Sequence, residues 1–228
     1  MPRPTLLAVS HGTSDAAGAA SIAALVACVA DALPDVTVRE AFVDVQQPEA
    51  PAALAEIDGP VIVVPLLLSR GFHVHHDLHG MVRERPDARI TPTLGPDALL
   101  AEVLALRVAD LGHPHAPIIL AVAGSRDATS VTDAEGMASL LRARSRREVH
   151  LAYLAARQPD LPSTLTQHPD AIVATYLLAQ GYFADLAARQ AAGRAISAPL
   201  LDGGAVPQRL VDLVVARYLA ASDASVVA

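Results

Sequence analysis

Two rhythms of apolar positions run along the chain. Residues 5–10, Thr-Leu-Leu-Ala-Val-Ser, are a short continuous apolar run of the kind shown by a strand buried on both faces. Ile22, Leu25, Val26, Val29 and Leu33 then recur at helical spacing, and Pro34 closes that helix. A second strand is predicted over residues 36–43, and Pro48 opens a short helix that runs to Glu56. Gly59-Pro60 marks a turn before a third buried strand at residues 61–64. A loop and a helix are expected next, then a fourth strand over residues 89–94. The helix predicted over residues 97–111 has Leu99, Leu100, Val103, Leu104 and Leu106 as its apolar positions. Strands alternating with helices predict a parallel sheet covered on both faces.

After Gly112-His-Pro-His-Ala-Pro117 the pattern restarts. A strand over residues 118–123 followed by Gly124-Ser-Arg-Asp127 repeats residues 6–11 followed by Gly12-Thr-Ser-Asp15. Ala41-Phe-Val-Asp-Val-Gln-Gln-Pro48 pairs with Ala152-Tyr-Leu-Ala-Ala-Arg-Gln-Pro159, and Leu67-Leu-Ser-Arg-Gly-Phe72 pairs with Leu177-Leu-Ala-Gln-Gly-Tyr182. The three pairs keep their order at an offset of about 110 residues. The expected architecture is therefore α/β: two similar doubly wound parallel-sheet lobes from an internal duplication. Residues 1–112 form the N-terminal lobe that carries the metal site, and residues 117–228 form a degenerate repeat. An internal pseudo-dimer of this kind is expected to be a monomer.

Composition narrows the function classes. A net charge of −7 gives no basic face for nucleic acid, and 3% aromatic residues leave few platforms for stacked bases. All 17 basic residues are arginine, which removes Schiff-base chemistry and the lysine of a phosphate-binding loop together. The single Cys28 excludes an internal disulfide and reads as a small buried helix residue. No apolar run reaches the ~18 residues of a membrane span, and no signal peptide is evident, so a cytoplasmic protein without membrane or nucleic-acid partners is expected.

The chemistry concentrates in residues 65–80, where four of the seven residues from 73 to 79 are histidine: His73, His75, His76 and His79. Imidazole is the commonest protein ligand for transition metals and, with an unperturbed pKa near ~6.5, also moves protons at neutral pH. The repeat selects among the candidates. Where the first half has His11, Asp44 and His73, the second has Ala123, Ala155 and Phe183, while the apolar and turn residues persist. Scaffold requirements act on both halves alike, so these three polar residues read as equipment of the first half. In a parallel α/β sheet, ligands bind beyond the carboxyl ends of the strands, where all three fall. Two imidazoles and a carboxylate suit a borderline divalent metal. On a helix His75 and His79 share a face, as do His76 and His79, so these three read as auxiliary to metal capture or as a polar helix surface. Arg142, Arg144, Arg146 and Arg147 read as a solvated helix end, and His113 and His115 as linker residues.

Leu7-Ala-Val-Ser-His11-Gly-Thr, Ala41-Phe-Val-Asp44 and Val63-Val-Pro-Leu-Leu-Leu-Ser-Arg-Gly-Phe-His73, with Asp77-Leu78 after it, resemble the sirohydrochlorin chelatase family. These are the class II, ATP-independent tetrapyrrole chelatases, here in their two-domain form. The resemblance implies a bilobal α/β fold whose cleft admits a planar macrocycle. It also implies that His11 and His73 bind the metal, that His11 accepts protons, and that the loop Leu68, Ser69, Arg70, Gly71 and Phe72 lies against the tetrapyrrole. Asp44 stands where the family usually carries glutamate, and His79 where it tends to proline. No permanently bound cofactor is expected: the divalent metal, Fe²⁺ first and Co²⁺ second, is a substrate. Arg70, Arg83 and the backbone N–H groups around Gly12, Thr13 and Ser14 are expected to receive the macrocycle's carboxylates. Two alternatives stay open, a non-catalytic metal or tetrapyrrole carrier and an enzyme that transfers phosphoryl groups through His11. The second lacks the expected arginine beside the histidine, where Ser10 stands.

Overall fold

The computed structural model describes residues 3–71 and 78–223. Lobe 1 contains a four-stranded parallel sheet in the order β2-β1-β3-β4, made of β1 (Thr5–Ser10), β2 (Val38–Phe42), β3 (Val61–Pro65) and β4 (Ala88–Ile90). Its helices are α1 (Ala16–Ala32), α2 (Ala50–Ala55), α3 (His79–Arg83) and α4 (Ala98–Ala109). Lobe 2 repeats the plan with β5 (Ile118–Val122), β6 (Val149–Tyr153) and β7 (Ile172–Tyr176), all parallel in the order β6-β5-β7. Its helices are α5 (Thr129–Ser145), α6 (Leu161–Gln167), α7 (Tyr182–Gln190) and α8 (Gln208–Asp223). The fourth strand survives there as a single parallel bridge between Val173 and Ile196.

The alternation of side chains along each strand explains the layering. Leu6, Ala8, Ile62 and Val64 point to one face of their sheet, and with Ile118, Leu120, Val122 and Ala174 they belong to one continuous core that runs through both lobes. Leu7, Val9, Val61 and Val63 point the other way, into a smaller core beneath α2 and Leu78. Ile119, Ala121 and Val173 do the same in lobe 2.

The last helix of each half crosses to the other half's sheet. α4 packs on α5 and β7, whereas α8 packs on α1 and β3. Matched arginines fix the exchange. Arg107 on α4 donates to the Leu200 carbonyl at 3.2 Å and meets Asp202 at 2.6 Å. Arg217 on α8 donates to the carbonyls of Thr93 and Leu94, both at 3.2 Å, and meets Asp97 at 3.0 Å. The fully buried Tyr218 adds a hydrogen bond from its hydroxyl to the Pro4 carbonyl at 2.7 Å.

Several element boundaries differ from the pattern by a few residues, and those of α1 and β4 do so for clear local reasons. α1 starts six residues ahead of its first apolar position Ile22, because Asp15 caps it and accepts from the Gly18 amide at 2.7 Å. β4 stops at Ile90, short of residue 94. Thr91 still donates to Val63, but Pro92 has no N–H to continue the ladder. The arginines at the end of α5 are also more engaged than a solvated end requires: Arg142 donates to the Val149 carbonyl at 2.9 Å, and Arg147 donates to that of Ala116.

Candidate functional site

Parallel strands all end on the same edge, so the carboxyl ends of β1, β3, β5 and β7 face one another across a cleft of about 600 Å³, within the range of small-molecule sites. Ser10, His11, Gly12 and Thr13 line it from the end of β1, and Leu66, Leu67, Leu68, Ser69 and Gly71 from the end of β3. Lobe 2 contributes the equivalent segments, Val122, Ala123, Gly124 and Ser125 from β5 and residues 176–184 from β7. The site is thus built from two copies of one scaffold facing each other.

The β1 loop is fixed by the backbone. Gly12 has φ +92°, and a Cβ there would lie 2.0 Å from the Asp44 carbonyl oxygen, so only glycine allows the two strand ends to approach this closely. Gly124, with φ +90°, plays the same part against Ala155. The Asp44 amide donates to the His11 carbonyl at 3.0 Å, as the Ala155 amide does to that of Ala123. Gln46 holds the next turn by accepting from the Thr13 amide at 2.9 Å; at the equivalent place Arg157 donates instead, to the carbonyls of Ser125 and Arg126. His11 emerges from this frame with its side chain exposed on the cleft wall.

The remaining expected residues fall in different places. Asp44 is an exposed neighbour of His11 in the backbone, and its carboxylate accepts from the Val45 amide at 2.7 Å. Arg70 lies at the cleft's edge, but its guanidinium is held by Asp133 of lobe 2. Arg83 is exposed at the end of α3, and His79 opens that helix, half-buried. Phe72, His73, His75 and His76 lie outside the described residues. Among the described residues no three His, Cys, Asp or Glu side chains gather into a metal-holding group.

Several residues at this site escaped the sequence reading. Ser10 is 0% exposed and lines the cleft, yet its hydroxyl has no hydrogen-bond partner among the described residues. A buried hydroxyl without a partner carries its full desolvation cost. The second half has Val122 at this position, and that contrast was the available signal. Tyr182 stands 68% exposed against Phe183, edge to face with ring centroids 5.3 Å apart, and Val45 is 58% exposed on the opposite rim. The Tyr182 and Val45 side chains border the cleft, one from each lobe. Tyr176 is buried, and burial pushes its hydroxyl far above the ordinary phenol range, so it acts only as a neutral donor or acceptor.

An α/β protein with an apolar cleft between duplicated lobes, and an imidazole at one strand end, defines a small-molecule site with a histidine on one wall. Comparison with known proteins gives the family. The CbiX family profile matches residues 5–111 and 117–200, and the chain belongs to that family, as its resemblance to the sirohydrochlorin chelatases indicated. SirB from Bacillus subtilis, solved with Fe³⁺, superposes with a TM-score of 0.78 at 22% identity over 98% of this chain and 97% of that one. The cobalt complex of the sirohydrochlorin chelatase SirB from Bacillus subtilis subspecies spizizenii gives 0.75 at 19% identity, over 97% and 96%. A CbiX described as the terminal enzyme of siroheme biosynthesis in denitrifying bacteria gives 0.69 at 22% identity, over 93% and 98%. At these identities the structures share the fold. No curated protein matches the sequence.

Proposed function

We propose that this protein inserts a divalent metal into sirohydrochlorin, with Fe²⁺ as the favoured ion and Co²⁺ second, in the synthesis of siroheme or cobalamin. The carrying observation is the cleft itself. It is flanked by leucines and aromatic side chains, has the volume of a small-molecule site, and bears His11 on one wall, in a chain matched by the CbiX profile over both halves. His11 and His73 hold the metal as substrate, with Asp44 as the acidic partner. The macrocycle loses two pyrrole N–H protons as the ion enters, and the exposed His11, as a neutral imidazole, accepts them one at a time and passes each to solvent. Metal and proton compete for the same nitrogen, so insertion falls at acid pH. The loop of Leu68, Ser69 and Gly71 forms one wall for the ring, and Gly12 and Thr13 at the end of β1 form part of another. His75, His76 and His79 assist metal capture at most.

Anaerobic incubation with sirohydrochlorin and Fe²⁺ or Co²⁺, followed by the macrocycle's absorption, tests this reading. The expected result is insertion well above the uncatalysed rate. No acceleration with any divalent ion removes the assignment, and tight macrocycle binding without turnover would leave a carrier.

A further inference from the structure

The loop on the lobe 1 side of the cleft is held from lobe 2. Arg70 donates its backbone N–H to Asp133 Oδ2 at 2.7 Å, its Nη2 to Oδ1 at 2.7 Å, and its Nε to both oxygens at 3.1 and 3.2 Å. Asp133, on α5, is 3% exposed, so this carboxylate is buried and its charge is met by Arg70. Two residues back, the Leu68 carbonyl accepts from the Tyr176 hydroxyl at 3.0 Å. Gly95 closes the same corner: a Cβ there would lie 2.0 Å from that hydroxyl and 2.3 Å from the Leu68 carbonyl.

The symmetry of the fold supplies a control. Arg70 and Asp133 occupy the positions that Gln180 and Ser21 occupy in the opposite arrangement, where the Ser21 hydroxyl shares its one hydrogen between the Ala17 carbonyl at 2.9 Å and Gln180 Oε1 at 3.3 Å. Both loops therefore dock on the first helix of the other lobe. The neutral pair holds the loop of lobe 2, whereas a buried charge with four hydrogen bonds holds the loop of lobe 1. Leu66 stands at the position equivalent to Tyr176, so the phenol contact has no counterpart either. A charge-assisted bidentate pair is stronger and more directional than a neutral bond, and here the carboxylate is buried while the arginine side chain stays 46% exposed.

We infer that Asp133 and Tyr176 are positioning residues for the proposed reaction: they fix the cleft wall formed by Leu66, Leu67, Leu68, Ser69 and Gly71, so that the second lobe, without the first lobe's ligand residues, sets the fit of the macrocycle. Arg70 is on this reading the wall's anchor and not a receiver of substrate carboxylates. The inference rests on the tetrapyrrole reading of the cleft for its ligand, not on catalysis.

The test transplants the neutral pair. Arg70→Gln with Asp133→Ser removes the charge together with its partner, so neither is left unpaired. The double variant is expected to keep the wild-type thermal transition while the KM for sirohydrochlorin, and its Kd from fluorescence quenching without metal, rise on the order of tenfold, with kcat less changed. Tyr176→Phe, which deletes one hydroxyl, is expected to raise KM and Kd in the same sense by a smaller factor. Hydrogen exchange at the Arg70 amide reports the wall directly and is expected to accelerate in the double variant. A double variant that retains wild-type Kd and amide protection overturns the inference. If the double variant does not fold, unchanged KM and Kd in Tyr176→Phe overturn it. A wild-type chain that binds the macrocycle without inserting metal removes the chelatase reading and leaves the clamp to stand or fall on Kd and exchange.

Discussion

Lobe 1 ends its first strand in Ser10-His11-Gly12, and lobe 2 ends the equivalent strand in Val122-Ala123-Gly124. The glycine is common to both, because each half brings a carbonyl against it too closely for any Cβ. The neighbouring polar residues are confined to lobe 1. The same division recurs at the second strand end, where Val45 and Ala156 share a left-handed backbone, φ +67° and +64°, beside Asp44 and Ala155. Backbone geometry was kept twice and chemistry once. The cleft therefore has a polar side carrying Ser10 and His11 and an apolar side carrying Tyr182 and Phe183. A flat macrocycle that must be gripped by its faces and deprotonated at its centre needs such asymmetry.

The sharpest way to break the comparison is His11→Ala. Loss of the proton acceptor should lower insertion by at least about 10²-fold, with the unfolding midpoint unchanged because the side chain is exposed. Ala123→His should restore nothing. His73→Ala is expected to match His11→Ala, and His79→Ala to cost little; the reverse pattern would move the site within the histidine cluster.

Gly12→Ala and Gly124→Ala come next. Each forces a Cβ to about 2 Å from a carbonyl oxygen at positive φ, so denaturant unfolding should report a similar loss from both, on the order of 1–3 kcal/mol. Only Gly12→Ala should also change the KM for the macrocycle. If both do, the two sides of the cleft are functionally equivalent and the asymmetry argument fails.

A third contrast lies away from the cleft. Arg39 on β2 meets Glu56 at the end of α2 at 3.0 Å. In lobe 2, His150 on β6, at the position equivalent to Arg39, stacks on His168, which follows α6, ring centroids 3.5 Å apart. Burial lowers the His150 pKa, and the charge of His168 lowers it further; Glu148 works in the opposite direction, and Arg142 in the same one. The unfolded chain then binds more protons than the folded one. Stability is fully present above the ordinary imidazole pKa near ~6.5 and falls as pH drops through that value toward the lower folded one. Thermal midpoints measured from pH 7.5 to 5 should fall less in a chain carrying His150→Arg and His168→Glu. Equal slopes would show that the stacked pair does not titrate with folding.

The smallest effect is expected at Ser10. Ser10→Val copies lobe 2 and removes a buried hydroxyl without a partner among the described residues, so stability should rise by roughly 1 kcal/mol. A several-fold rise in the macrocycle's KM alongside it would mark the hydroxyl as a substrate contact, and an unchanged KM would make it a packing residue.

The sequence by itself determined the strands, most helices, the duplication and the candidates His11, Asp44 and His73. These are local matters: a strand's apolar run, Asp15 before α1, or a polar residue replaced by alanine in the second copy can be read without knowing what lies opposite. Only the tertiary structure decided what crosses between the halves. α4 and α8 carry ordinary amphipathic patterns, and nothing in a pattern states which sheet an apolar face will cover. Arg70 looked like a free cation because its partner Asp133 is 63 residues away, and Tyr176 reaches Leu68 across 108. Ser10 read as the last residue of a strand until burial showed its hydroxyl enclosed. Pairings of this kind depend on how two packed surfaces meet. The side chains that make them have many partners of suitable charge or shape along the chain, and only packing selects one.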